Sequence, residues 1–162
     1  MPATIPGVNN VEKMVALAQA AWASRTVKLA PEPPGARAGL IGEENNSSSP
    51  TPLDLVAVGD SLIAGCGVET QSESLTPLIA EGVAAREDTA VQWRTYSKLG
   101  ATMRRERYKY LPEITTPPDI LFICAGSNDV MARRGPDEWL DDLQGTLDEA
   151  QELCDRVWLC SS

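Results

Sequence analysis

The sequence of 162 residues contains no histidine. Histidine is the only side chain whose unperturbed pKa lets it exchange a proton near neutral pH, and it is also the commonest metal ligand. Its absence excludes a serine–histidine relay built within this chain. Because every copy lacks the residue, a symmetric oligomer cannot supply it either.

Cysteine is scarce and shows no metal-binding spacing. No two of Cys66, Cys124, Cys154 and Cys160 form a Cys-x-x-Cys pair, so a zinc site would need all four thiolates from scattered elements. We therefore expect no metal, and no other feature of the sequence calls for a cofactor. Cys124 and Cys160 lie in apolar runs that we predict to be buried strands, where free cysteine packs as a small apolar residue. This usage fits a reducing compartment and predicts a cytoplasmic location.

Basic residues are also in short supply. Lysine and arginine together number 14 against 23 aspartates and glutamates, which gives a net charge of −9. A surface with this balance repels polyanions. We therefore expect neither nucleic acid nor an anionic membrane as a partner.

Long apolar runs are missing. The apolar stretch Met14–Ala23 contains Gln19 and is too short to span a bilayer, and no basic region precedes it as in a secretory signal. Apolar residues recur at helical spacing at Val11, Met14, Val15, Ala18, Ala21 and Trp22. We predict an amphipathic helix within residues 1–30, followed by a Pro/Ser-rich, partly disordered linker over residues 31–52.

The chain does contain an apolar run, beginning at Leu53, that stops abruptly at Gly59-Asp60-Ser61. The run Val56–Val58 shows no polar alternation, which predicts a strand covered on both faces, as in a parallel sheet. Ligands of open parallel sheets bind at the carboxyl ends of the strands, so Ser61 follows the strand at a suitable position. Taken alone, the stretch fits a structural turn with a capping serine equally well.

Two later stretches repeat this design. The apolar run Asp119–Ala125 breaks into Gly126-Ser127-Asn128-Asp129, and the alternating run Val91–Ser97 leads to Gly100 just before a helical pattern. Together with a fourth strand, Arg156–Cys160, the predicted strands alternate with predicted helices. We predict a doubly wound parallel α/β sheet over residues 53–162, a flavodoxin-like three-layer α/β/α arrangement of four strands in the order 2-1-3-4. In that order the alternating strand lies at one edge.

The three strand-end motifs together resemble a known family. Gly59-Asp60-Ser61, then Gly100, then Gly126-x-Asn128-Asp129 are similar in type and order to the first three sequence blocks of the SGNH (GDSL-type) hydrolases. The resemblance covers Leu53–Ser162. The family's last block, an Asp-x-x-His after a fifth strand, has no counterpart here.

This resemblance implies ester hydrolysis through an acyl-enzyme, as in esterases and lipase-like acyl hydrolases that act on small esters or acylated compounds. Ser61 would be the nucleophile. The N–H groups of Ser61 and Gly100 and the side-chain amide of Asn128 would form the oxyanion hole. Asp60 and Asp129 would support the turns, because a carboxylate with a pKa near 4 is poorly matched to a serine proton.

Two interpretations of function stay open. In the first, the chain is the larger part of a serine esterase whose histidine lies in a C-terminal piece outside this sequence, so that the chain alone is nearly inactive. In the second, it is a catalytically silent relative that binds an acylated or sugar-like ligand or serves as a scaffold. A flavodoxin-like mononucleotide site or an acidic receiver-type pocket around Asp60 and Asp129 is a further alternative. The pattern Gly59…Gly65 lacks the lysine of a Walker loop, and Gly65-x-Gly67 lacks the third glycine of a dinucleotide fingerprint.

The fourth predicted strand raises a separate question about assembly. Arg156–Cys160 would leave an apolar, unpaired sheet edge, which invites association. We predict that this edge pairs with a second copy in a homodimer, is covered by the N-terminal helix or the linker, or makes the protein prone to aggregate.

Overall fold

The computed structural model describes residues 30–42 and 51–161, together with Val11, Met14, Val15 and Ala18 near the N terminus. The chain forms two compact units, Met1–Ala30 and Pro31–Ser162. In the first unit, Val11, Met14, Val15 and Ala18 are helical. The rest of the helix predicted there, including Trp22, lies outside the described residues, and so does the part of the predicted linker from 43 to 50.

The second unit is built on one sheet of five strands: β1 (Ala38–Ile41), β2 (Leu53–Gly59), β3 (Val91–Ser97), β4 (Ile120–Ala125) and β5 (Val157–Ser161). Their order across the sheet is β1-β3-β2-β4-β5. The pairs β2–β3, β2–β4 and β4–β5 are parallel. The predicted doubly wound α/β fold is confirmed, since β3-β2-β4-β5 is the order expected for the four predicted strands.

The expected number of strands was one too few. β1 lies in the segment that we expected to be a linker, and it pairs antiparallel with β3 through Ala38↔Arg94 to Ile41↔Val91. Pro31, Pro33 and Pro34 of that segment precede this short strand. β1 is the sheet edge on this side, so β3 is an inner strand. Its alternation instead reflects Val91, Trp93 and Thr95 pointing into the core from one face.

Helices cover both faces of the sheet. They are α1 (Leu75–Glu87), α2 (Met103–Arg105), α3 (Ser127–Met131) and α4 (Pro136–Leu153). A π-helical turn, Glu106–Tyr110, continues α2 without a break, and a 3-10 turn, Leu111–Glu113, follows it. Among the described residues, no helix combines the length and apolar character needed to cross a membrane.

The core has one layer on each face of the sheet. On one face, Ala80 and Val83 of α1 pack on Leu55 and Trp93. On the other face, the π-helical turn and α4 pack on strand residues, and this layer contains Val56, Val58, Leu121, Ile123, Tyr110 and Ala150. Because Leu55 and Val56 are consecutive in β2, these layers lie on opposite faces and give the three-layer arrangement.

β5 forms the second sheet edge and is the least covered strand. Trp158 and Leu159 are 43% and 44% exposed, and only Val157 packs against the core. The prediction that Cys160 is buried is wrong, because its strand ends the sheet; Cys124, in the inner strand β4, is buried as expected.

Candidate functional site

The loop that carries Ser61 begins where β2 is most tightly packed. A Cβ atom on Gly59 would collide with Ile63 and would lie 2.7 Å from the carbonyl oxygen of Cys124. Only glycine fits there. The next residue continues the link to β4, since the Asp60 N–H donates to the Cys124 carbonyl oxygen at 3.2 Å. Ser61 is therefore held at the carboxyl edge of the two central strands.

Asp60 connects the Ser61 loop to the Asn128 loop. Its side chain is 1% exposed. Oδ1 accepts a hydrogen bond from the Leu62 N–H at 3.0 Å, and Oδ2 accepts one from Asn128 Nδ2 at 3.3 Å. Contacts of this kind are what a supporting role for Asp60 requires.

Asn128 also reaches the third motif. Its Nδ2 donates to the Ala101 carbonyl oxygen at 2.9 Å, directly after Gly100. A further bond, from the Lys98 N–H to the Gly59 carbonyl oxygen at 3.3 Å, joins this loop to the end of β2. The three segments singled out in the sequence therefore meet at one edge of the sheet.

Gly100 is glycine for a conformational reason. A Cβ atom there would meet nothing within 4 Å, so neighbouring atoms do not exclude a side chain. The backbone instead has φ of +80°, which residues other than glycine rarely adopt. The requirement for glycine is conformational, and the space beside it is open.

Asp129 holds the start of α2 and is balanced by a cation. Its Oδ2 accepts the Met103 N–H at 2.8 Å, and Arg134 Nε lies 3.3 Å from Oδ1. Arg134 also pairs with Asp142. Asp129 is thus a buried, ion-paired anchor with both oxygens engaged.

Glu106 is the residue that sequence reasoning missed. It is fully buried on the π-helical turn, and neither carboxyl oxygen has a hydrogen-bond partner. Burial, followed by the charges of Asp60 and Asp129, raises the pKa of Glu106 to about 9. The available signal was the spacing Met103, Glu106, Tyr110, which places the glutamate on the buried stripe.

A pocket of about 340 Å³ lies at the carboxyl ends of β4 and β5. It is lined by Ser127, Val130, Trp139 and Ser161 among others, so it adjoins Asn128. Nε1 of Trp139 is buried and has no hydrogen-bond partner. Among the described residues, no group of three or more acidic or cysteine side chains could hold a metal ion.

Comparison with solved structures identifies similar folds. The SGNH-hydrolase family esterase AlinE4 is 23% identical, with a TM-score of 0.58, over 69% of this chain and 60% of that chain. TesA is 24% identical, with a TM-score of 0.58, over 65% of this chain and 58% of that chain. A member of the lipolytic protein G-D-S-L family from Veillonella parvula is 19% identical, with a TM-score of 0.52, over 66% and 57%. At these identities the likeness establishes the fold. This chain spans less than two thirds of the length of each neighbour.

A comparison with curated proteins gives no match. The model of the GDSL-like lipase/acylhydrolase family matches residues 57–159, a range that includes Ser61, Gly100 and Asn128. Since this match covers more than half of the sequence, the chain belongs to the GDSL-like lipase/acylhydrolase family.

Proposed function

We propose that this chain carries the nucleophile and the oxyanion hole of a serine ester hydrolase acting on small-molecule esters or acylated compounds. The observation that carries the proposal is the pair of hydrogen bonds from Asn128, to Asp60 and to the Ala101 carbonyl, because they bring together the loops of all three motifs. Family membership and esterase neighbours support the reaction type.

In the proposed reaction, Ser61 Oγ attacks the ester carbonyl and gives up its proton to a base. The carbonyl oxygen becomes an oxyanion that accepts hydrogen bonds from the N–H groups of Ser61 and Gly100 and from Asn128 Nδ2. Asn128 Nδ2 already donates to two oxygens, so one bond must be exchanged. The 3.3 Å bond to Asp60 is longer than the 2.9 Å bond to Ala101 and is the one to yield.

The base is the missing part. Asp129 is ion-paired, Asp60 is hydrogen-bonded on both oxygens, and Glu106, with its pKa near 9, keeps its proton at neutral pH. A side chain that holds its proton cannot accept the serine proton. We propose that a histidine from outside this sequence completes the relay. The similar structures of AlinE4 and TesA are consistent with this, because about two fifths of each has no counterpart in this chain.

The lack of an available base also favours the second candidate function. In this second candidate, the site at Ser61 and Asn128 has no histidine, binds an acylated ligand and releases it unchanged. The two candidates differ in whether turnover depends on Ser61, not in fold.

The test measures p-nitrophenyl acetate hydrolysis by the chain, by Ser61→Ala and by a form extended with a family-type Asp-x-x-His segment. Loss of the base of a serine triad costs about a million-fold in turnover. We expect feeble hydrolysis by the chain, almost unchanged in Ser61→Ala, and Ser61-dependent turnover in the extended form. Ser72→Ala, at an exposed serine of the 3-10 turn Gln71–Glu73, is the matched control and leaves all rates unchanged. Robust turnover by the unextended chain that vanishes in Ser61→Ala would show that one of its own residues is the base, contrary to this proposal.

A further inference from the structure

A second cleft, of about 460 Å³, opens at the carboxyl end of β3. Its lining comes from Thr95–Lys98, from the segment before β1, and from the helical stretch that follows Gly100. Lys98 connects the cleft to the candidate site, because its N–H donates to the carbonyl oxygen of Gly59. The cleft therefore adjoins the Ser61 loop but is separate from the pocket beside Asn128.

The cleft is basic although the chain is acidic. Its lining contains four cations, Arg37, Lys98, Arg105 and Lys109, against two acids, Glu32 and Glu113. The lining thus has an excess of two positive charges in a protein whose net charge is −9. Such a local reversal of charge attracts anions.

One wall is fixed by Glu32. Its carboxylate pairs with Arg37 Nη2 at 2.7 Å and with Lys98 Nζ at 3.2 Å, and it accepts the Leu99 N–H at 2.8 Å. Arg37 Nη1 also donates to Ser97 Oγ at 2.9 Å. One carboxylate therefore holds two cations in place and leaves one of their charges unbalanced.

The two cations that the helical stretch contributes to the cleft, Arg105 and Lys109, have no acidic partner among the described residues. Within the described part of the chain, Arg105 and Lys109 form no ion pair, whereas Arg107 of the same helical stretch is 2.8 Å from Glu149. Their charged groups lie 6.0 and 5.9 Å from the centre of the Tyr110 ring. A guanidinium and an ammonium thus lie near the same aromatic ring, and no carboxylate in the described ranges neutralises their charges.

The cleft also offers neutral groups. Burial raises the pKa of Tyr110 while Arg105 opposes this, so the phenol stays protonated at neutral pH. Tyr96 and Tyr110 both line the cleft and provide aromatic surface for an organic group.

We propose that this cleft binds the phosphate group of a small phosphorylated compound, with Arg105 and Lys109 contacting the anion. The excess of two positive charges matches a phosphate monoester, whose charge approaches −2 above its second pKa of about 6. Arginine supplies a planar fork of donors and lysine a point charge, both suited to phosphate. The remaining volume beside the two tyrosines accommodates the organic part. Phosphate binding itself does not depend on the proposed function. Only the further statement that the bound compound is the substrate of Ser61 rests on it.

The test is isothermal titration calorimetry with inorganic phosphate and with phenyl phosphate, at about pH 7.5, where the phosphate is mostly dianionic. Ionic strength is held constant with sodium chloride so that screening of charges is the same in every titration. We expect Arg105→Gln and Lys109→Gln each to weaken binding at least tenfold, roughly the value of one charge-assisted hydrogen bond. Phenyl phosphate should bind more tightly than inorganic phosphate, because its ring can contact the tyrosines.

Arg86→Gln is the matched control, since it removes one positive charge from a side chain of α1 that is 86% exposed. It should leave both affinities unchanged. Absence of binding, or equal affinity in all four proteins, would overturn the proposal and show that these cations form a solvated face. Binding does not require turnover, so a lack of Ser61-dependent turnover in the form extended with the Asp-x-x-His segment would refute the proposed function without affecting this result.

Discussion

Asn128 could be predicted from the local sequence, whereas the importance of Glu106 could not. Asn128 was found from its motif, and its amide in fact links three loops. Glu106 belongs to no motif, and its importance arises from burial beside two other acids. Sequence spacing places it on a buried stripe but does not reveal that Asp60 and Asp129 lie nearby. The first kind of residue can be predicted from local sequence, whereas the second requires the three-dimensional arrangement.

Glu106 should make the protein less stable as pH rises. The unfolded chain loses this proton above its ordinary pKa of 4.5, whereas the folded chain keeps it until about 9. Between these values unfolding releases a proton, so the free energy of unfolding falls by about 1.4 kcal/mol per pH unit. The penalty is absent below pH 4.5 and reaches about 3 kcal/mol at pH 7.

Glu106→Gln removes this titration and keeps the shape of the side chain. We expect its advantage over the unmodified protein in urea unfolding to grow from pH 5 to pH 9. Glu113→Gln, at an exposed position just after the same helical stretch, should follow the unmodified protein at every pH. Parallel pH profiles for Glu106→Gln and the unmodified protein would show that Glu106 ionises normally in the folded state.

At the scale of elements, the four parallel strands were predictable and β1 was not. Strands covered on both faces form continuous apolar runs, which β2 and β4 do, and those runs were identified correctly. β1 has only four residues, Ala-Gly-Leu-Ile, directly after a proline-rich segment. Its strand conformation comes from pairing with β3, a long-range contact that local propensity does not contain. The π-helical turn at Glu106 is equally invisible in the sequence.

The β1–β3 pairing can be tested through Gly39. A Cβ atom added there would lie 2.9 Å from Nε1 of the buried Trp93. Gly39→Ala should therefore force β1 or the indole to move and should lower the free energy of unfolding by about 1–3 kcal/mol. Urea unfolding measures the change. Leu40→Ala, at a 43% exposed neighbour on the opposite face of β1, should have a smaller effect. Equal effects of both substitutions would contradict the packing of β1 against Trp93.

At the scale of the whole molecule, the meeting of the three motifs was predictable because parallel strands bring their carboxyl ends to one sheet edge. The basic cleft was not predictable, since its walls come from segments 32–37, 95–98 and 105–113, which share no sequence pattern. The exposed character of β5 follows from the strand order, and the strand ends the sheet with apolar side chains on both faces. This edge leads to a prediction about assembly.

We expect β5 to pair with β5 of a second copy, because an unpaired apolar edge presents free backbone groups beside apolar side chains. Sedimentation velocity over a range of concentrations should show a dimer that dissociates on dilution. Leu159→Lys places a charge on this edge at a 44% exposed position and should shift the protein toward monomer. Leu40→Lys makes the same change at a 43% exposed position of the other edge strand, β1, and should leave the dimer intact. A species that stays monomeric at every concentration would contradict dimerisation through β5. A dimer that only Leu40→Lys disrupts would place the contact at β1.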